Sequence, residues 1–310
     1  MFWRLSTIAL NTYREAVRAR ILLGMLGLAL ATLLYSVIIA AMSLHQEVRV
    51  LADVGAASTS LYAVLVSVLL GATSLHRELE LKTVFPILTR ELRRHEYLLG
   101  KYLGTLLVLA VFVALNGGGV LLLLALHSAR PVGVVAGATG AMLAVLGVLL
   151  LRARQARVFV LAPWSFAFFV VAWYVAQPAG PDVQLLTASC VLTMFEVAIV
   201  TAIAVVFSSF SSPFLTATFT LAVFIVGRSA DTLAHLPVGV IGARLSRAGA
   251  VLSKIVPNLH TYVPPRPLLL GEVATASLSR YLASAGLNAI LYVTILLVVS
   301  CLVFRRRDFL

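Results

Sequence analysis

Between two apolar runs, residues 76 to 104 read HRELELKTVFPILTRELRRHEYLLGKYLG and hold ten charged side chains, Arg77, Glu78, Glu80, Lys82, Arg90, Glu91, Arg93, Arg94, Glu96 and Lys101. Marking topology needs only a few basic residues, so this density of both signs reads as two short helices able to dock on a soluble partner. The second candidate is Glu196, near the middle of an apolar run. A carboxylate at that depth costs on the order of 3 kcal/mol unless it meets a partner or water. It marks either a polar point on a translocation path or subunit interface, or a hydrogen bond to Ser or Thr of a neighbouring helix. Arg228, near the end of the next run, has room to snorkel.

Catalysis finds no footing in the remaining residues. A phosphate loop would need glycine at position 95 and Ser or Thr at 102, where the chain has His95 and Tyr102 around Gly100-Lys101. The chain is therefore not expected to hydrolyse ATP by itself. His45, His76, His95, His127, His235 and His260 stand singly without metal-ligand spacing, and neither G-x-S-x-G nor H-E-x-x-H occurs. No enzyme, metal or bound cofactor is expected. Cys190 and Cys301 fall inside apolar runs as small buried side chains. Trp164, Phe166, Phe168, Phe169, Trp173 and Tyr174 read as lipid contacts and interface anchors.

The elements that must position these residues follow from composition. Hydrophobic residues make up 61% of the chain and charged ones 12%, with a mean hydropathy of +1.03. A water-soluble domain of this size could not hide that much apolar surface. Roughly 20 apolar residues at about 1.5 Å rise cross a hydrocarbon core of about 30 Å. Runs of that kind lie near 21–44, 58–75, 100–126, 132–151, 158–176, 185–207, 214–230 and 284–304. The expected fold is an all-α integral membrane protein, a polytopic helical bundle of about eight transmembrane helices in one domain over 1–310.

Ahead of the first run, Phe2, Leu5, Ile8, Ala9, Thr12 and Ala16 recur at helical spacing, which predicts an interfacial elbow helix over 1–20. No cleavable signal peptide is visible there. In SSFSSP, Ser211 or Ser212 as N-cap and Pro213 at the first helical position start a new helix. With the N-terminus inside, sixteen Lys and Arg fall on inner segments and eight outside, which places both termini in the cytoplasm. Most of the eight lie in an extracytoplasmic segment, 231–283. There GVIGARLSRAGAVLSKIV sets Arg244, Arg247 and Lys254 on one stripe of an amphipathic helix. The net charge of +12 is clustered at the ends of spans rather than interleaved with aromatics, which argues for anionic lipid and against nucleic acid.

The charged stretch resembles the type 2 ATP-binding-cassette (ABC) permease family. Its coupling helix reads roughly R-E-x-E-x-K-T, matched by Arg77, Glu78, Glu80, Lys82 and Thr83. A second part is matched by Ile87, Leu88, Arg94, Leu98, Leu99, Gly100 and Lys101. The segments YREAVRARIL, 196–227, PNL at 257–259 and the closing FRRRDF are similar to the same family in the same order. Glu91 departs from it, standing where proline is frequent, and 132–184 looks like a helical hairpin inserted into a six-span exporter core.

The resemblance implies the membrane subunit of an exporter in a bacterial cytoplasmic membrane. It implies a second permease copy, in a homodimer, and a separate cytoplasmic ATPase that binds ATP and Mg and acts on a coupling segment at 76–99. Arg77, Glu78, Glu80, Lys82, Thr83 and Arg94 would carry that coupling, with Glu196 on the path or at the subunit interface. A rival reading is a permease-like scaffold that helps mature an extracytoplasmic metalloenzyme or anchors an envelope machine.

Overall fold

A computed structural model describes residues 2–43, 46–80, 94–128, 130–153, 157–235, 249, 256–263 and 277–306. Among them there is no β-strand. The helices are α1 (Phe2–Arg18), α2 (Ile21–Met42), α3 (Glu47–Glu80), α4 (Arg94–Leu126) and α5 (Val132–Arg152). They continue with α6 (Arg157–Ala176), α7 (Pro181–Ser208), α8 (Pro213–Arg228), the short α9 (Ala230–Ala234) and α10 (Leu278–Arg306). Seven of them, α2 to α7 and α10, are long and apolar enough to cross a membrane. The run expected at 214–230 forms α8, whose 16 residues cover only about 24 Å of a core of about 30 Å.

Local chemistry sets several boundaries. Arg20 adopts a left-handed conformation, φ 59°, and so separates α1 from α2. Gly180 takes φ 67° and ψ −131°, a region closed to residues with a Cβ, and Pro181 and Asp182 then open α7. Pro213 is the first residue of α8 as expected, yet the Ser212 N-cap makes no side-chain capping bond. The Ser211 hydroxyl lies 2.7 Å from that of Thr216 instead. Several helices run beyond their apolar runs: α3 begins at Glu47 rather than near 58, and α4 at Arg94 rather than near 100.

α7 is the hub, and its buried residues recur along almost its whole length. It packs against α3, α4, α8 and α10. Lipid offers no hydrophobic drive for one apolar helix to prefer another, so close approach depends on small residues. A Cβ placed on Gly71 of α3 would stand 2.4 Å from the Cβ of Ala204 on α7. α6 covers α4, and α5 lies outside α6 with Val135 as its sole buried residue. The Trp164 indole donates to the Met142 carbonyl at 2.9 Å and ties α6 to α5.

α1 docks on the start of α4. A Cβ on Gly104 would come within 2.5 Å of the Ala9 carbonyl oxygen, and one on Gly100 within 2.7 Å of Ile8. At the same end of the bundle Tyr97, Leu98 and Tyr102 of α4 pack with Ala202 and Val205 of α7 and Phe304 of α10.

Candidate functional site

Glu196 stands in the buried core among polar partners from two other helices. α7 presents it with no exposed side-chain surface. The Arg228 guanidinium, at the last residue of α8, donates to Oε1, and the Ser60 hydroxyl of α3 donates to Oε2 at 2.9 Å. The carboxylate is thus held by a charge and a hydroxyl from two other helices, the arrangement a buried charge needs. The expectation of a Ser or Thr partner is met by Ser60. The snorkelling expected of Arg228 is not what the structure has: its head group turns to Glu196.

Two further polar contacts flank this centre, one between the parallel α3 and α7 and one between α4 and α3. Ser67 and Thr201 share a hydrogen bond at 2.8 Å, and the Asn116 amide of α4 donates to the Thr59 hydroxyl at 2.8 Å. Asn116 Oδ1 is buried without a hydrogen-bond partner. Thr59→Val would leave the amide nitrogen unpartnered as well and is expected to cost about 1 kcal/mol, by analogy with other intramembrane hydrogen bonds. Equilibrium unfolding in detergent measures it, and adding Asn116→Leu should recover most of the loss.

Above the ion pair opens a cavity of about 380 Å³ between α3, α7, α8 and the turn Leu259–Tyr262. Ser60 and Arg228, the partners of Glu196, line it beside the ion pair, and Ser189, Thr193, Asp53 and Val263 also belong to its lining. The turn is seated by Gly227 of α8, where a Cβ would meet the Pro257 carbonyl oxygen at 2.7 Å. Tyr262 donates to the Ala285 carbonyl of α10 at 3.4 Å. Burial, then the neighbouring Tyr292, Glu196 and Tyr281, pushes its hydroxyl up to about 12. It stays a neutral donor at ordinary pH. Among the described residues no group of three or more His, Cys, Asp or Glu could hold a metal ion.

At the opposite end of the bundle lie the residues expected to couple. Arg77, Glu78 and Glu80 occupy the last turn of α3 and Arg94 the first position of α4. Lys82 and Thr83 fall outside the described residues, as do most of the amphipathic stretch near 240–255 and the end of FRRRDF. Lys101, which closes the second part of the motif, lies 4.0 Å from Glu15 of α1 and 5.8 Å from the Tyr97 ring centroid. No protein-family model matches this sequence, and no curated protein matches it.

Sequence reasoning found Glu196 and missed the role of Arg228 and Ser60. A signal for Arg228 existed: an acid inside one apolar run and a base ending the next invite pairing, since each is costly alone. Nothing in the sequence marked Ser60 above its neighbours Ser58 and Thr59.

Proposed function

We propose that the chain is the membrane-spanning permease subunit of an ATP-driven exporter of the type 2 ABC kind. It works with a separate cytoplasmic ATPase, which holds ATP and Mg, and with a second copy of itself in a bacterial cytoplasmic membrane. The docking of α1 on α4 supports this most directly. YREAV supplies Glu15 and LLGK supplies Lys101, two stretches that carry the family resemblance and lie far apart in sequence, and these side chains stand 4.0 Å apart, while Gly100 packs on Ile8 earlier on α1. A push on the charged segment before α4 would therefore reach α1 and α4 as one body.

In this reading α1 lies in the cytoplasmic interface as the elbow and both termini are cytoplasmic. α8 is a shorter eighth crossing beside the seven long helices. α5 and α6 are the inserted hairpin, and the six-span core surrounds α7. The segment 76–99 receives the ATPase through Arg77, Glu78, Glu80, Lys82, Thr83 and Arg94. Glu196 lies beside a cavity on the opposite side, where a translocation path would emerge.

The test uses the soluble protein with a phosphate loop that co-purifies with the chain. Glu78→Arg and Glu80→Arg are each expected to lower stimulation of its ATPase by about tenfold, the equivalent of about 1.4 kcal/mol. Membrane insertion should be unchanged. Wild-type stimulation and transport in both variants would remove the coupling assignment, and the absence of any such partner would remove the exporter.

A further inference from the structure

The accessible charge of the Glu196–Arg228 pair is one-sided. Glu196 has no exposed side-chain surface, whereas the Arg228 side chain keeps 31% of its own and contributes to the cavity lining. Guanidinium carries five N–H donors in a planar fork. Among the described residues the hydrogen bond that Arg228 makes is to Glu196, and its other contact is the Phe224 ring, 5.8 Å from the guanidinium carbon. Donors on the remaining edge face a space of about 380 Å³ whose exposed surface is mostly apolar. That volume falls within the range of about 300–1,000 Å³ usual for small-molecule sites.

From this geometry we infer that the cavity is a binding site for an anionic amphiphile: a carboxylate or phosphate takes the free edge of Arg228, and an alkyl body fills the space above. Thr193 puts a hydroxyl on the lining beside the place where the acid would sit, and Leu61, Leu185 and Phe224 supply apolar lining. Arg228 does not lose Glu196 when the acid binds, because a guanidinium can serve two acceptors on different edges. The site does not depend on coupling to an ATPase, and the binding test below is made on the chain alone.

The experiment reconstitutes the full chain in nanodiscs and measures saturable binding of radiolabelled octanoate, with empty nanodiscs subtracted. Unlabelled octanoate, octyl phosphate and octanol are the competitors. Wild type should show saturable binding that octanol does not displace. The stronger of the two acids identifies the head group as carboxylate or phosphate. Arg228→Lys, which keeps a charge for Glu196 but loses the planar fork, should weaken binding by roughly tenfold. Ser189→Trp fills the cavity from the α7 wall without touching the ion pair and should abolish binding at an unchanged melting temperature. Should that variant unfold, Ala57→Trp fills the same space from α3. Octanol displacing as well as octanoate would reduce the cavity to an apolar crevice. Wild-type binding by a folded, filled variant would place the ligand elsewhere. Either result overturns the assignment, as does the absence of saturable binding.

Discussion

Arg228→Met is expected to destabilise the folded chain by about 3 kcal/mol or more, the usual range for removing one partner of a buried ion pair. The methionine keeps the apolar stem over the end of α8 and removes only the charge. Glu196 is then left fully buried with Ser60 as its remaining partner. One hydroxyl offsets only part of the desolvation of a carboxylate. The double variant Arg228→Met with Glu196→Gln removes both charges and should recover most of the loss, because a neutral amide still accepts from Ser60. Unfolding by detergent titration of both singles and the double gives the coupling energy directly. A single-variant loss below about 1 kcal/mol, the median for exposed pairs, would mean that Glu196 and Arg228 do not depend on one another.

The spans were legible in the sequence and the pairing was not, for a physical reason. Lipid requires each crossing to satisfy its own backbone, so the apolar runs had to be helices and their positions could be read off. Their ends were less visible. Glu47, Arg49 and Asp53 disguise the first turns of α3, although Leu51 and Ala52 between them are buried. A helix continues into polar sequence wherever one of its faces still has a neighbour. The length of α8 was visible in SSFSSP and in Arg228, yet its packing needed the third dimension. Packing of α8 on α7 makes a residue expected to snorkel the partner of Glu196, 32 positions away. The contacts of Gly71 with Ala204 and of Gly104 with Ala9 likewise depend on the register between helices, which no local pattern encodes. Arg77, Glu78, Glu80 and Arg94 were singled out by resemblance, and their placement at the end of α3 and the start of α4 follows from the order of spans alone.

Gly104→Val should release α1 from the bundle while leaving the membrane core assembled. The atom that a Cβ would meet is the Ala9 carbonyl oxygen at 2.5 Å, with the Cβ of Thr12 at 2.6 Å. A side chain can rotate away from an intruder, but a carbonyl inside a helix moves only with the helix. Valine therefore displaces α1 as a unit and separates Glu15 from Lys101, which stand at 4.0 Å. At 4.0 Å that pair is a long contact and is not expected to oppose the shift. Protection of the α1 backbone from hydrogen exchange should fall strongly, whereas that of α3 and α7, which supply none of the atoms nearest a Cβ on Gly104, should stay near wild type. If the proposed permease reading holds and α1 and α4 pass motion from the charged segment as one body, the same variant also loses stimulation of a partner ATPase by about tenfold or more, a coupling term of about 1.4 kcal/mol. Gly104→Ala separates the two effects. Its single methyl group meets the same carbonyl with less bulk behind it, so α1 should be loosened rather than displaced and stimulation should fall only partly. Undiminished protection of α1 in the valine variant would show that the helix does not rest on Gly104. Full stimulation with α1 released would show that the elbow and α4 are not the path by which the segment acts.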